Sequence, residues 1–298
     1  MDKTRIIILV TITAVYAVCF VMIKAGLTFA PPLRFAGLRA LIAGVALLSL
    51  VIVLRQPWRP PRRLWLRLLM LSLAAPAGAF AGMFLSPGQA GAGIASVLGN
   101  IQPLITVVLA AIFLQEQLTP GKSTALALGL IGVTLIVSPA LVSADAGSFS
   151  GAMLALAASA GSSAGNVIFK TMGNQRSVLT IAAWQLIVGS LPLLALSSLI
   201  ERDGQMLWTA EFVGLLLFLA LIGTSFTTAV WYWLVQREDL GRLTMALFLV
   251  PVLGLGIAAL GFGEDISPIK AVGVVMTIIA VGVAVRKSKP YSGANQSA

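Results

Sequence analysis

The chain repeats itself at a constant offset, and no other feature narrows its possible folds as much. Residues 96–138 realign on 244–286 with a shift of 148, which places Pro103 on Pro251, Glu116 on Glu264, Pro120 on Pro268 and Lys122 on Lys270 without a gap. Earlier in each half, Val21–Lys24 falls on Val167–Lys170 at a shift of 146. Two copies of one ancestral unit therefore account for almost all of the chain.

The unit is built from apolar segments of membrane length. The chain is 58% hydrophobic and 10% charged, with a mean hydropathy of +0.99. Ten segments can be read, near 6–23, 35–54, 64–84, 91–114, 123–141, 149–169, 178–200, 212–235, 241–262 and 268–285. At about 1.5 Å per residue each can cross a hydrocarbon layer of about 30 Å as a helix. Five segments per unit is an odd number, so the second copy must enter the bilayer from the opposite side. The expected fold is an all-α membrane protein of ten transmembrane helices, arranged as two inverted five-helix repeats. The first repeat covers 1–143, the second 144–287, and 288–298 form a tail.

The charges agree with inversion. The link between segments two and three carries Arg55, Arg59, Arg62, Arg63 and Arg67 and no acid, whereas its counterpart between seven and eight carries Glu201, Arg202, Asp203 and Glu211. If the N-terminus is cytoplasmic, only Lys24, Arg34, Arg202 and Lys270 fall on the outer side, Arg39 lies within a span, and the other Lys and Arg residues are inside. Such a bias orients membrane proteins, so both termini are expected in the cytoplasm of a bacterial inner membrane. The formal charge of +10 is thus read as topology rather than as affinity for nucleic acid. Segment one follows Lys3 and Arg5 as a signal peptide would, but it has a counterpart in segment six and no convincing cleavage site. It is read as a retained helix.

Several functions are made improbable by what the chain lacks. It has no histidine and one cysteine, Cys19, so neither a metal nor another cofactor is expected. A membrane-embedded enzyme would need paired carboxylates, a histidine cluster or an activated nucleophile, and none is visible. No Walker-type phosphate loop and no repeated selectivity-filter sequence is present.

The run Tyr16-Ala-Val-Cys-Phe20-Val-Met-Ile-Lys24, with Pro31-Pro32 and Arg39, resembles the first-helix region of EamA-type drug/metabolite transporters. So do Pro103…Glu116…Pro120, Pro251…Glu264…Pro268 and Trp184-Gln185, and the resemblance spans about 6–287. The family often opens span one with Trp-Gly, where this chain has Tyr16-Ala17. The likeness implies a ten-helix exporter of metabolites or amphipathic compounds.

Candidate transport residues follow from polarity and symmetry. Ser96 and Asn100 share a helix face before Pro103, and Thr244 and Phe248 take the same places before Pro251. Tyr16, Phe20 and Lys24 correspond to Ser162, Asn166 and Lys170. Polar groups inside apolar spans favour a bundle interior or water, so these faces are expected to line a central substrate cavity. Helix–helix hydrogen bonding is the alternative. Pro103 and Pro251 are expected to bend their helices as hinges. Lys24 or Arg39 with Glu264 would gate the outer side, and Lys170 with Glu116 the inner side. Both glutamates also precede Ser/Thr-Pro helix starts, which explains part of the motif locally. Trp231-Tyr232-Trp233 are expected near the inner end of segment eight as interfacial anchors.

The function expected is a secondary transporter exporting small amphipathic metabolites such as amino acids by alternating access, as a monomer or homodimer in the lipid bilayer. A proton-coupled multidrug or metabolite antiporter is the alternative, although no Asp or Glu falls mid-span.

Overall fold

The computed structural model describes residues 2–90, 98–142, 149–173, 178–262 and 267–285. Ten helical elements are present among them: α1 (Lys3–Gly26), α2 (Pro32–Val53), α3 (Arg62–Ser86), α4 (Gln102–Phe113), α5 (Pro120–Val142), α6 (Phe149–Thr171), α7 (Val178–Ile200), α8 (Ala210–Val235), α9 (Leu240–Ile257, running on to Phe262) and α10 (Pro268–Val285). Nine are long and apolar enough to cross a membrane; α4 is the shorter one. The described residues contain no strand. With no water in a bilayer core, a helix satisfies its own backbone groups and suits these apolar stretches.

Helix starts follow local chemistry. Asp2 accepts from the Arg5 amide at 2.8 Å, Thr209 from Phe212 at 3.1 Å and Asp239 from Arg242 at 3.0 Å. These caps satisfy amides that have no partner within the helix. Pro32, Pro120 and Pro268 occupy first-turn positions, where the missing N–H costs nothing.

Helices pack through small residues. Alpha-2 lies along α7, where Gly37 faces Leu194 and Gly44 faces Ala183 and Ile187; α5 lies along α10, where Gly132 and Gly273 approach each other's backbone. A Cβ on Gly161 of α6 would stand 2.5 Å from the Ala74 carbonyl of α3, and one on Gly165 2.6 Å from Ala75 Cβ. Apolar side chains gain little by leaving lipid for a helix interface, so close backbone approach supplies the packing. Large apolar side chains such as Val53, Ile112, Phe113 and Ile200 point outward, as a lipid-facing surface requires.

Contacts between links sort the molecule into two ends. At the proximal end, where α1 begins, the α2–α3, α4–α5, α6–α7 and α8–α9 links meet their neighbours: Thr180 and Trp184 donate to the Pro57 and Trp58 carbonyls, Arg67 to Thr171, and Arg5 pairs with Glu238. At the distal end Glu201 caps the start of α2, taking the Leu33 and Arg34 amides at 2.8 and 3.0 Å. Phe29, Phe35, Phe84 and Phe212 pack together there.

Two irregularities recur at the repeat offset. Alpha-3 carries a π-helical segment at Leu73–Ala79, and α8 carries one at Leu221–Phe226. Their first residues are 148 positions apart. Helix α9 tightens to a 3₁₀ turn at Ala246–Phe248 before Pro251, and the chain turns at Asn100 and Ile101 before Pro103. Pro103 stands in the first turn of α4, where its lost N–H is tolerated, and Pro251 stands just past the 3₁₀ turn within α9.

Candidate functional site

A charged cluster stands at the proximal end, with Glu116 at its centre. Helix α4 ends at Phe113, and Gln115 takes a left-handed conformation (φ 56°). The Glu116 amide then returns to the Ala110 carbonyl at 3.2 Å, folding the chain back over the last turn of α4 as a left-handed residue at a helix C-terminus does. This turn aims Glu116 at the start of α9, where its carboxylate accepts the Leu240 and Gly241 amides at 2.7 and 3.1 Å. A carboxylate on a helix N-terminus meets unpaired N–H groups and the positive end of the helix dipole. Lys170 Nζ lies 3.1 Å from the same carboxylate, and Lys122 Nζ lies 3.5 Å from it and 2.7 Å from Asp239. Lys170 also donates to the Glu238 carbonyl, and Arg5 pairs with the Glu238 carboxylate. The start of α1, the α4–α5 link, α6 and the α8–α9 link are tied together here.

The electrostatics of the two central acids differ. Burial opposes ionisation of Glu116, but Asp239, the two α9 amides and Lys170 outweigh it and hold the carboxyl down at about 2. Asp239 moves the other way, raised first by burial and then by Glu116, with Lys122 opposing. The cluster keeps Glu116 ionised and leaves Asp239 the more easily protonated partner.

Deeper in, polar side chains satisfy one another. Trp231 Nε1 donates to Asn166 Oδ1 at 2.9 Å, and the Tyr232 hydroxyl donates to Gln185 Oε1 at 2.8 Å. The Tyr232 ring stacks on Phe169 with centroids 3.7 Å apart. Ser159 donates to the Leu98 carbonyl at 2.8 Å, and Ser163 to Gln102 at 3.0 Å. These carbonyls border the break before Pro103, and in lipid they need such partners.

A second polar niche lies between α1, α2, α3 and α8. Arg39 is only 4% exposed. Its Nε donates to Thr224 Oγ1 at 2.7 Å, its Nη2 to the Gly223 carbonyl at 3.2 Å, and its guanidinium stands 5.4 Å from the Phe80 ring centre. Gly223 and Thr224 belong to the π segment of α8, whose wider winding frees carbonyls. Hydroxyls on the same segment take some of them: Thr224 donates to Leu219 at 2.9 Å, Ser225 to Ala220 at 3.0 Å.

The residues singled out from sequence are distributed as follows. Asn166, Thr244 and Phe248 are buried; Asn166 is bonded to Trp231, Thr244 to the Leu240 and Gly241 carbonyls, and Phe248 packs on Gly129. Tyr16, Asn100 and Ser162 are half-buried, and Phe20 is 52% exposed. Ser96 and Glu264 lie outside the described residues. Lys170 and Glu116 meet; Lys24 is exposed, and Arg39 is bonded to α8. The expectation of interfacial anchors is corrected for Trp231 and Tyr232, which are 5% and 3% exposed because their polar atoms find partners on α6 and α7. Trp233, half-buried under the Arg237 guanidinium 4.4 Å from its ring centre, remains near the surface. Sequence reasoning missed Ser159, Ser163, Thr224 and Asp239, and Lys122 was read only as a topological charge. The repeated Lys122/Lys270 pair beside Glu116/Glu264 was the available signal for the cluster.

The chain is similar in sequence to known transport proteins. A Salmonella typhimurium protein named as a probable amino-acid metabolite efflux pump is 31% identical over 297 residues, covering 95% of this chain and 96% of its own. An Escherichia coli K12 protein of the same name is 27% identical over 286 residues, 93% of each chain. A Bacillus subtilis protein named as an uncharacterized transporter is 27% identical over 259 residues, 87% of this chain and 89% of its own. A solved crystal structure aligns over 96% of this chain and 98% of its own with a TM-score of 0.79 at 16% identity, which speaks to the fold alone. The model of the EamA-like transporter family matches residues 4–138 and 149–286. The chain belongs to the EamA-like transporter family, and it is a transporter, not an enzyme.

Proposed function

We propose that this chain is a secondary exporter of small amphipathic metabolites such as amino acids, working by alternating access between two inverted five-helix halves, 1–143 and 144–287. The observation that carries the reading is the Glu116 cluster, which joins the α4–α5 link to α6 and to the start of α9. Supporting it are the paired π segments and the backbone irregularities before Pro103 and Pro251, and the names of two relatives. In this reading the proximal end is cytoplasmic, both termini lie there, and the membrane is the bacterial inner one. The faces bearing Tyr16, Phe20, Ser96, Asn100, Ser162, Asn166, Thr244 and Phe248 line the path. Pro103 and Pro251 are its hinges. By symmetry, Glu264 with Lys24 or Arg39 seals the distal end when the Glu116–Lys170 contact opens.

Coupling to protons is a second reading, favoured by the apposed acids Glu116 and Asp239 in a partly buried cluster. One experiment addresses both. Proteoliposomes loaded with labelled amino acids, nucleosides or cationic drugs are assayed for efflux with and without a pH gradient. Saturable efflux of amino acids that needs no gradient supports facilitated export, and strict dependence on the gradient supports antiport. No saturable efflux of any member of the panel defeats both readings.

A further inference from the structure

We infer that Arg39 is a carboxylate-binding site, and that the transported metabolite presents its carboxylate to the Arg39 guanidinium. This rests on the transport reading and narrows its substrate class. Arg39 is 4% exposed in the interior of α2, yet no acid pairs with it among the described residues. Its protein partners are a hydroxyl, a carbonyl and an aromatic face. The titratable side chains that act on it electrostatically are Cys19 and Tyr16, a thiol and a phenol. Its Nη1 is buried and has no hydrogen-bond partner among the described residues. A buried guanidinium is costly unless paired and hydrogen-bonded, so an open fork in this setting calls for an anion. A guanidinium and a carboxylate match as two parallel hydrogen bonds.

The rest of the niche is already arranged for such a ligand. Thr224 and Gly223 fix the Nε and Nη2 side of the fork from the π segment of α8, which leaves Nη1 to the solute. Phe80 covers the guanidinium plane at 5.4 Å. π-bulges inside helices recur at functional sites. The repeat offset of 146 places Gln185 opposite Arg39, and Gln185 is neutral and held by the Tyr232 hydroxyl at 2.8 Å. The positive group is therefore present in one half only, as a directional recognition element and not as a structural feature of the repeat.

The test uses reconstituted full-length protein and three probes, leucine, phenylalanine and lysine, each as the free acid and as the primary amide. Wild type should export the acids at least tenfold faster than the amides. Arg39→Gln should lose about tenfold on the acids and lose far less on the amides, with Arg39→Lys in between. A wild type that moves amides as fast as acids, or an Arg39→Gln variant that slows both alike, overturns the carboxylate site while leaving transport intact. A wild type that moves neither overturns the transport reading, and this inference with it. Because Arg39→Gln can fail to fold, the thermal midpoint of detergent-solubilised wild type is measured with each probe. At least one free acid should raise it and its amide should not; equal shifts from the two, or none from any acid, overturn the proposal.

Discussion

The π segments of α3 and α8 occupy the same place in the repeat but perform different work. In α3 the segment contains Pro76 and apolar neighbours, and it is a packing surface: Gly161 and Gly165 of α6 lie against Ala74 and Ala75, and Gly189 of α7 against Pro76. In α8 the segment contains Thr224 and Ser225, and it is a polar scaffold: it holds Arg39 and bonds the Ala43 carbonyl of α2. Even the contacts correspond, since Cys19 of α1 packs on Gly223 as Gly165 of α6 packs on Ala75. One backbone irregularity thus serves close helix packing in one half and the presentation of a buried charge in the other. Proline accounts for the irregularity in α3 by removing an N–H. In α8 no proline is present, and hydroxyls instead satisfy the carbonyls that π winding frees.

The sharpest way to break the comparison is to crowd the packing side. Gly161→Val should destabilise the protein by about 1–3 kcal/mol, because the neighbour at 2.5 Å is backbone and cannot give way. Gly214→Val, which meets nothing within 4 Å, should stay within about 0.5 kcal/mol. Thermal unfolding in detergent separates the two, and equal losses would remove the packing role of α3.

On the polar side, Thr224→Val leaves a buried guanidinium N–H without its acceptor and should cost about 1–3 kcal/mol. Pro76→Ala, at the matching position, should stay within about 1 kcal/mol. Chemical denaturation of the pair tests the contrast directly, and a costlier Pro76→Ala would reverse it.

Glu116→Gln should shift the resting equilibrium toward proximal opening by about 1 kcal/mol, roughly fivefold in population, and Glu264→Gln should shift it the other way. Labelling of cysteines introduced at both ends in a Cys19→Ala background reads the direction. Shifts of the same sign would reduce both glutamates to ordinary helix-start residues.

Mild acid should have the smallest effect. Glu116 is depressed to about 2, so its contribution to the closed end is present above the usual carboxylate range and is lost only as pH falls toward that value. Asp239 is raised, so the cost of its ionisation is relieved as pH falls. Between pH 8 and pH 5 proximal labelling should stay constant or decline. An increase would contradict the assigned signs.

Much of the fold could be read before the structure, because hydrophobic length and a repeat are properties of the chain itself. Among the described residues nine apolar segments emerge as helices long enough to cross a membrane and Gln102–Phe113 as a shorter apolar helix, and the Lys170–Glu116 contact was visible as paired charges at matching positions. The π segments were not. Pro76 hinted at one, but the other is made by Thr224, Ser225 and their packing partners, and no periodicity separates a π turn from an α turn. The aromatic triplet misled for a related reason. Tryptophan and tyrosine near a helix end suit an interface, and only tertiary partners, here Asn166 and Gln185, draw Trp231 and Tyr232 inside. Glu116 was identified, but its seat on the α9 amides depends on where the α8–α9 link lands, which local sequence does not encode.

Alternating access is tested most directly by locking the proximal end. Cysteines at positions 117 and 242 flank the Glu116–Gly241 contact, and in a Cys19→Ala background they can be bridged by a short, reducible bifunctional thiol reagent. Proteoliposomes loaded with labelled amino acid then report efflux before bridging, after bridging and after reduction. Efflux should stop on bridging and return on reduction, because a transporter held shut at one end can bind from the other but cannot cycle. Undiminished efflux from the bridged protein would contradict alternating access through this end.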